Sequence, residues 1–268
     1  MRPNRFRESL EAGHATIGTR IQSSWPSIVE AIGHTRQFDC VEFLAEYAPF
    51  DLYALENLCR AAELHNLTPI IKIAEGQREF LTQRAIGAGF QAVLFAACRS
   101  ADDVRRCVQL VRPETPQDAG HFGIETQRFA HMRQSGTPEY IQALRDVVVM
   151  IMIEKRSAVE QLEEILSVPG LDMIQWGPAD YTMSAAMPRD RNNPEVKAIE
   201  RRVLETALKM GIQPRVELRY PEQVHAYLEM GVRHFNLGVD LSILYEWWKS
   251  NGTVLRQKLE SAEVDGRQ

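Results

Sequence analysis

Two carboxylates, Glu154 and Asp180, stand where a metal site could form. Glu154 directly follows seven apolar residues, 147–153, and Asp180 follows a Gly177-Pro178 turn. A carboxylate at the end of a buried segment is costly unless it is paired or bound to a metal. Two carboxylates with open positions suit magnesium or manganese. The alternatives are an ion pair of Glu154 with Lys155 or Arg215, and a capping role for Asp180.

Short apolar segments alternate with longer amphipathic segments along the whole chain, and this alternation predicts the elements that carry these residues. Eight strand-like segments, each followed by a helical pattern, predict a closed parallel (β/α)₈ TIM barrel in a single domain. An open doubly wound sheet is the alternative, but no glycine-rich phosphate turn follows the first strand. The predicted strands span residues 15–22, 40–45, 69–73, 91–97, 147–153, 172–176, 214–218 and 234–238.

The carboxyl ends of barrel strands are where chemistry takes place in this fold. Several polar residues follow the predicted strands there, and they form the wider candidate set. Apart from Glu154 and Asp180, the set consists of Arg20, Gln22, Glu46, Tyr47, Lys72, Glu75, Arg215, Glu217, Asn236 and Asp240.

The chain divides into an N-terminal extension at 1–14, the barrel at 15–260 and a polar tail at 261–268, predicted to be frayed. One long segment, 112–136, is rich in proline and glycine and interrupts the alternation. Long loops in compact domains are usually functional or disordered. We therefore expect this loop to shape the distal end of a substrate pocket.

Composition excludes several classes of protein. The net charge of −5 argues against nucleic-acid binding, and the longest apolar run, 147–153, is too short to span a bilayer. The four cysteines lack C-x-x-C spacing, which argues against a zinc site. The first residues lack the apolar core of a secretory signal. The cytoplasm is the expected compartment, without a membrane or nucleic-acid partner.

Several motifs resemble the hydroxyketoacid aldolases of the HpcH/HpaI family, which are class II pyruvate aldolases. The likeness covers most of residues 15–245. It is carried by Met152-Ile153-Glu154, 162–165 (LEEI), 168–172 (VPGLD) and Gly177-Pro178-Ala179-Asp180, and by 38–42 (FDCVE), Glu46, 49–51 (PFD), Gly231 and 238–240 (GVD).

The resemblance implies a divalent metal, Mg²⁺, Mn²⁺ or Co²⁺, held by Glu154 and Asp180. It implies a small 2-oxo or hydroxy acid as substrate, chelated by the metal, with its carboxylate on the Gly177-Pro178-Ala179 segment. The metal would stabilise the enolate that forms when the C–C bond breaks. Relatives of this family are commonly hexamers, and some exchange the last helix, so a homo-oligomer is expected.

The chain departs from the family pattern where protons and substrate are handled. Tyr47 replaces the usual histidine, Leu44 the acid that partners it, Lys72 the usual arginine and Met152 a glutamine. A phenol is a weaker base than imidazole, and lysine lacks the planar fork of arginine. We interpret this as an active site in two halves: the metal half, with Glu154 and Asp180, is retained, and the proton-transfer half, with Tyr47 and Lys72, is rebuilt.

The rebuilt half has several candidate residues. Glu46, Tyr47 and Lys72 are the predicted catalytic residues, and Lys72 also contacts substrate. A Schiff-base role for Lys72 is a lesser alternative, because a metal makes an imine redundant. Arg20 is either a replacement substrate clamp or a surface arginine. His121, in the long loop, could supply a proton, also from a neighbouring subunit.

The sequence therefore predicts a metal-dependent lyase that cleaves or forms a C–C bond next to a 2-oxo acid. A different metal-enolate reaction on the same barrel, such as decarboxylation or tautomerisation, is the first alternative. A non-catalytic binding protein is the second, and retention of both carboxylates argues against it.

Overall fold

The computed structural model describes residues 2–124, 128, 133–188, 190 and 193–265. Within these residues eight parallel strands pair in chain order, and β8 pairs with β1 to close a barrel. The predicted (β/α)₈ barrel is confirmed. The strands are β1 Thr16–Ile21, β2 Cys40–Phe43, β3 Thr68–Ile73, β4 Ala92–Phe95, β5 Val148–Ile153, β6 Met173–Trp176, β7 Gln213–Leu218 and β8 His234–Val239.

Helices surround the strands because each carries an apolar face. Helix α5 shows this, since its buried residues recur every three or four positions. None of the helices in the described ranges is both long and apolar enough to cross a bilayer. The helices are α1 Arg5–Glu11, α2 Pro26–Thr35, α3 Leu52–Leu64, α4 Arg78–Ala88, α5 Ala101–Val111, α6 Pro138–Asp146, α7 Arg156–Glu160, α8 Leu162–Leu166, α9 Pro178–Ser184, α10 Pro194–Lys209, α11 Val224–Met230 and α12 Asp240–Asp265.

Helix α1 lies in the predicted N-terminal extension and closes the amino end of the barrel. Its N-cap Asn4 accepts a hydrogen bond from the Arg7 backbone at 3.2 Å, and Phe6 is buried among strand residues such as Ile70 and Met150. Arg7 pairs with Asp172 at 2.6 Å. The helix escaped prediction because a single buried phenylalanine in seven residues leaves no apolar period.

The described part of the long loop lies at the amino end of the barrel, away from the strand ends that carry chemistry. Arg112 donates to the backbone oxygens of Val147 at 2.7 Å and Gly170 at 3.1 Å, where β5 and β6 begin. The loop leads from α5 to α6, which directly precedes β5, so the topology requires this position. Within one chain, His121 and the described loop residues therefore do not shape the pocket. Residues 125–127 and 129–132 lie outside the described ranges.

The barrel interior contains a buried ion pair between Glu42 on β2 and Arg215 on β7, both fully buried. Asn236 donates to the same Glu42 oxygen at 3.0 Å, and Arg215 Nε donates to Gln175 Oε1 at 2.9 Å. Arg215 and Asn236 were predicted for the barrel mouth, but the structure places them inside. Gly18 is required here because a Cβ at this position would strike the Asn236 side chain.

His234 should make stability depend on pH. Burial, with a contribution from the Arg215 charge, lowers the pKa of His234 to about 4. An unfolded histidine titrates near ~6.5. The unfolded state therefore binds more protons between these values, and stability is lost as pH falls through that interval. Between pH 7 and pH 5 the loss due to His234 should be about 2 kcal/mol.

Urea unfolding at the two pH values measures this loss. In His234→Asn, which can keep the contact that Nδ1 makes with Thr16 Oγ1 at 2.9 Å, the pH-dependent loss should be smaller by that amount. The exposed His225→Asn serves as control and should behave like the wild type. Identical losses in all three proteins would contradict the prediction.

Candidate active site

The carboxyl ends of the strands surround a cavity of about 440 Å³. It brings together residues that are far apart in sequence, including most of the predicted site. Among its lining residues are Arg20, Tyr47, Lys72, Glu154, Gly177, Pro178, Ala179 and Asp180. Glu46 does not line the cavity, but it forms an ion pair with Lys72, which does.

Glu154 is buried at the end of β5, and its Oε1 accepts the Ala97 backbone N–H at 2.7 Å. Ala97 adopts a left-handed conformation with φ of 57°, which is uncommon outside glycine. Oε2 forms no hydrogen bond to the described residues. Burial raises the pKa of Glu154, although Lys72 and the Ala97 amide oppose this. A Cβ at Gly177 would lie 2.6 Å from Glu154 Cβ, so only glycine leaves room for this carboxylate.

Asp180 lies in the first turn of α9, and its Oδ1 pairs with Lys155 Nζ at 2.7 Å. The alternatives considered for the two carboxylates are not observed. Lys155 pairs with Asp180 and Arg215 with Glu42, so neither neutralises Glu154. Asp180 makes no side-chain cap for α9, whose N-cap is Gly177.

The donor set suits a divalent cation that takes most of its ligands from water or substrate. Glu154 and Asp180 line the same cavity, and one oxygen of each, Oε2 and Oδ2, has no hydrogen bond to the described part of the chain. Hard oxygen donors with open positions are typical of magnesium and manganese sites. The described residues contain no cluster of three or more histidine, cysteine, aspartate or glutamate side chains, so a cation at this position would have these two carboxylates as its ligands from the described part of the chain.

Lys72 is buried between Glu46 and Tyr47. Its Nζ lies 2.7 Å from Glu46 Oε2 and donates to Tyr47 Oη at 3.1 Å. Burial alone would lower the pKa of Lys72, but Glu46, Tyr47 and Glu154 outweigh it, and the pKa is raised. The ammonium form therefore dominates at neutral pH. This argues against a Schiff base, which requires a neutral amine.

Tyr47 lies at the cavity wall with its hydroxyl on Lys72. Burial raises its pKa to about 12, and the Lys72 charge only partly opposes this. The phenol is therefore protonated at neutral pH. It can donate a proton or a hydrogen bond, but it is not a base in its resting state.

Arg20 faces the cavity rather than the outer surface of the barrel. It pairs with Glu217 Oε2 at 2.5 Å, and its Nε donates to Gly238 O at 3.4 Å. Gln175 Nε2 holds the other oxygen of Glu217 at 2.7 Å. The position of Arg20 agrees with a role in binding the substrate, but its guanidinium already has Glu217 as a counter-ion.

One wall of the cavity was not predicted. It is lined by Lys197 and Glu200 on α10 and by Gln223 and Tyr227 at α11. Tyr227 donates to Glu200 at 3.0 Å. These residues follow no strand, so the rule used for the other candidates could not select them. The sequence signal that could have indicated Lys197 and Glu200 is the polar face at the start of α10.

Two curated relatives align with nearly the whole chain. It is 28% identical over 247 residues to the 2-keto-3-deoxy-L-rhamnonate aldolase of Escherichia coli O17:K52:H18, covering 90% of this chain and 89% of the relative. It is 26% identical over 242 residues to the 4-hydroxy-2-oxo-heptane-1,7-dioate aldolase of Shigella flexneri, with the same coverage of both proteins.

Solved structures show the same fold. An HpcH/HpaI aldolase/citrate lyase family protein from Burkholderia cenocepacia J2315 superposes with a TM-score of 0.83 at 25% identity, covering 95% of this chain and all of that one. The citrate lyase beta subunit from M. tuberculosis, solved with oxaloacetate and magnesium, matches with a TM-score of 0.56 at 12% identity, over 85% and 93% of the chains.

A closed parallel barrel with charged residues converging at its carboxyl end defines a (β/α)₈-barrel enzyme. The family model described as HpcH/HpaI aldolase/citrate lyase matches residues 19–246, and the chain belongs to that family. The resemblance noted from the motifs is confirmed, and so is the prediction of a carbon–carbon lyase.

Proposed function

We propose that the protein is a divalent-metal-dependent lyase that cleaves or forms a C–C bond next to a 2-oxo acid. Glu154 and Asp180 would hold Mg²⁺, Mn²⁺ or Co²⁺. The supporting observation is that both carboxylates line one cavity, each with an oxygen that has no partner among the described residues. A cation bound there would act as a Lewis acid toward the keto oxygen of the substrate.

The Gly177-Pro178-Ala179 segment would receive the substrate carboxylate. The Gly177 N–H already donates to Ile153 O at 3.0 Å, and proline has no N–H. The Ala179 amide, in the first turn of α9, is therefore the donor that this segment offers. Lys72, a buried ammonium, adds a positive charge to the same cavity.

Tyr47 would move the proton. In the cleavage direction the proton of the substrate hydroxyl passes to solvent, and the Tyr47 phenol donates its own proton to the carbon atom released by bond breaking. The Lys72 ammonium stabilises the resulting phenolate until solvent protonates it again. Glu46 holds Lys72 in place at 2.7 Å. In the direction of synthesis the Tyr47 phenol first loses its proton to solvent, and the phenolate then takes a proton from the methyl group of the 2-oxo acid, so one residue serves both directions.

Deuterium exchange into the methyl group of pyruvate tests this function. Mn²⁺-loaded protein in D₂O should exchange these protons, as followed by NMR, and Tyr47→Phe should slow the exchange by about 10²-fold or more, in line with loss of a general acid–base group. Metal binding without exchange would favour a different metal-enolate reaction or a binding protein. Failure to bind Mn²⁺ after reconstitution would refute the proposal.

We also propose that a second copy of this chain covers α12, as the family resemblance implies. The helix exposes an apolar stripe that is too long for a typical monomer surface. Its residues Leu241, Leu244, Trp248, Leu255 and Leu259 recur at helical spacing and are 37–61% exposed.

Sedimentation velocity at micromolar concentration should show an oligomer for the wild type. The Trp248→Glu/Leu255→Glu variant should shift it to the monomer, because two charges on the stripe cannot be desolvated without partners. Gln257→Glu adds a charge on the other side of the helix and should leave the oligomer intact. A wild-type monomer would contradict this proposal.

A further inference from the structure

The cavity extends well beyond the metal half, and at about 440 Å³ it is of the size that holds a ligand longer than pyruvate. Glu154, Asp180, Lys72 and Tyr47 occupy one side. The other side is formed by β1, β7, α10 and α11. The part of the substrate that becomes the aldehyde on cleavage must lie there, because the 2-oxo acid head is held by the metal half.

The charged groups on this second side are already paired with one another. Arg20 pairs with Glu217 at 2.5 Å and Lys197 with Glu200 at 2.9 Å. At the rim, Arg219 pairs with Glu246 at 3.0 Å. A second substrate carboxylate would need a cation without a counter-ion, and these three described cations each have one. An uncharged substrate tail that carries hydroxyl groups can form hydrogen bonds with both members of such a pair, and it brings no charge that the protein must neutralise.

The Arg20–Glu217 pair is held in place from inside the barrel. Glu217 Oε1 accepts from Gln175 Nε2 at 2.7 Å, and Gln175 Oε1 accepts from Arg215 Nε at 2.9 Å. Arg215 is anchored on Glu42. The pair is thus oriented before a ligand arrives, which reduces the entropic cost of binding. Arg20 Nη2 has no hydrogen bond within the described residues, and Glu217 remains partly open to the cavity.

We infer that the Arg20–Glu217 pair recognises hydroxyl groups on the tail of the substrate, so that the protein takes polyhydroxylated 2-oxo acids rather than dicarboxylic ones. This inference rests on the proposed function and specifies its substrate class. Arg20 and Glu217 contact the tail, and Gln175 is a positioning residue that fixes Glu217. Hydroxyl recognition by a charged pair is selective, because an analogue that lacks the hydroxyl loses the hydrogen bonds that it would otherwise form with these charged groups.

Three six-carbon acids with the same 2-hydroxy acid head test this preference: D-gluconate, 2-hydroxyadipate and 2-hydroxyhexanoate. Their binding to the Mn²⁺-loaded protein is measured by isothermal titration calorimetry. The wild type should bind D-gluconate tighter than either other acid by about tenfold or more, the range expected for hydrogen bonds to charged groups. Tighter binding of 2-hydroxyadipate, or equal binding of 2-hydroxyhexanoate, would overturn the inference.

Glu217→Gln provides the sharper test because it frees Arg20 from its counter-ion. Its binding of D-gluconate should weaken and its binding of 2-hydroxyadipate should tighten, each by about tenfold. A purely structural role would weaken all three acids alike, and an unchanged or uniformly weakened order would refute the inference. Glu205→Gln makes the same change at an exposed Arg–Glu pair on α10 and should leave the order unchanged.

Arg20→Lys serves as a second variant if Glu217→Gln does not fold. Lysine keeps the charge but lacks the planar guanidinium, so binding of D-gluconate should weaken while binding of the other two acids should not. Unchanged D-gluconate binding would also refute the inference. Pyruvate deuterium exchange distinguishes failure of the proposed lyase function from failure of the inferred substrate class. Its absence refutes the lyase function, whereas exchange with a wrong order of affinities refutes only the substrate class.

Discussion

Glu154→Gln should abolish pyruvate deuterium exchange and weaken Mn²⁺ binding by at least about 100-fold. A glutamine has the same size but supplies a neutral oxygen, and the cation loses one of its two protein carboxylates. Calorimetric titration with Mn²⁺ measures the affinity without relying on activity. Glu75→Gln serves as control. Like Glu154, Glu75 follows a strand at the carboxyl end of the barrel, in this case β3, but it is exposed and pairs with Arg99.

The same variant should be no less stable than the wild type in the absence of metal. Glu154 is buried without an ion-pair partner among the described side chains, and neutralising such a charge removes its desolvation cost. Urea unfolding of the metal-free proteins measures this. Retained Mn²⁺ affinity in a folded Glu154→Gln protein would exclude Glu154 as a ligand, and a large loss of stability would show that the carboxylate has a structural partner instead.

Arg215→Met should destabilise the fold by about 3–5 kcal/mol, the range observed when one partner of a buried ion pair is removed. Glu42 would remain charged in the barrel interior, with Asn236 as its remaining hydrogen-bond donor. The double variant Glu42→Met/Arg215→Met should recover most of this loss, because it removes the stranded charge as well. Urea unfolding at neutral pH measures both variants.

Arg201→Met is the matched control, since Arg201 pairs with Glu205 on the exposed side of α10. Its effect should stay within about 0.5 kcal/mol. If Arg215→Met were as mild as this control, the Glu42–Arg215 pair would contribute little. If the double variant were as unstable as the single one, packing rather than charge would explain the loss.

The fold could be predicted because each strand is a short apolar segment bounded by polar or turn-forming residues. β5 is the clearest case, with both faces buried as in a strand covered on two sides. The placement of Glu154 and Asp180 at one cavity could be predicted for the same reason, since the ends of β5 and β6 position them. The end of a strand can be predicted from a sequence, and in a barrel the carboxyl ends of all strands lie around one cavity.

The orientation and the partners of several other side chains could not be predicted from the sequence. Whether Arg215 points into the barrel or away from it depends on register, and a shift of one residue reverses the answer. The residues of α10 that line the cavity depend on the rotation of that helix about its axis. The partners of Lys155 and Arg20, namely Asp180 and Glu217, are 25 and 197 positions away. Pairing of β5 with β6 brings the first two together, and closure of the barrel through β8 brings the second two together.

Closure of the barrel also has a consequence for biosynthesis. β1 pairs with β8, and Thr19 Oγ1 donates to Leu237 O at 2.8 Å, so the first strand obtains one of its two neighbours only from the end of the chain. At ribosomal rates of about 5–20 residues per second, β1 waits roughly 10–40 s for that partner. During this interval one edge of the nascent sheet is unpaired. Closure of the barrel therefore waits until β8 has been synthesised, and chaperones that shield strand edges should bind the nascent chain before β8 emerges.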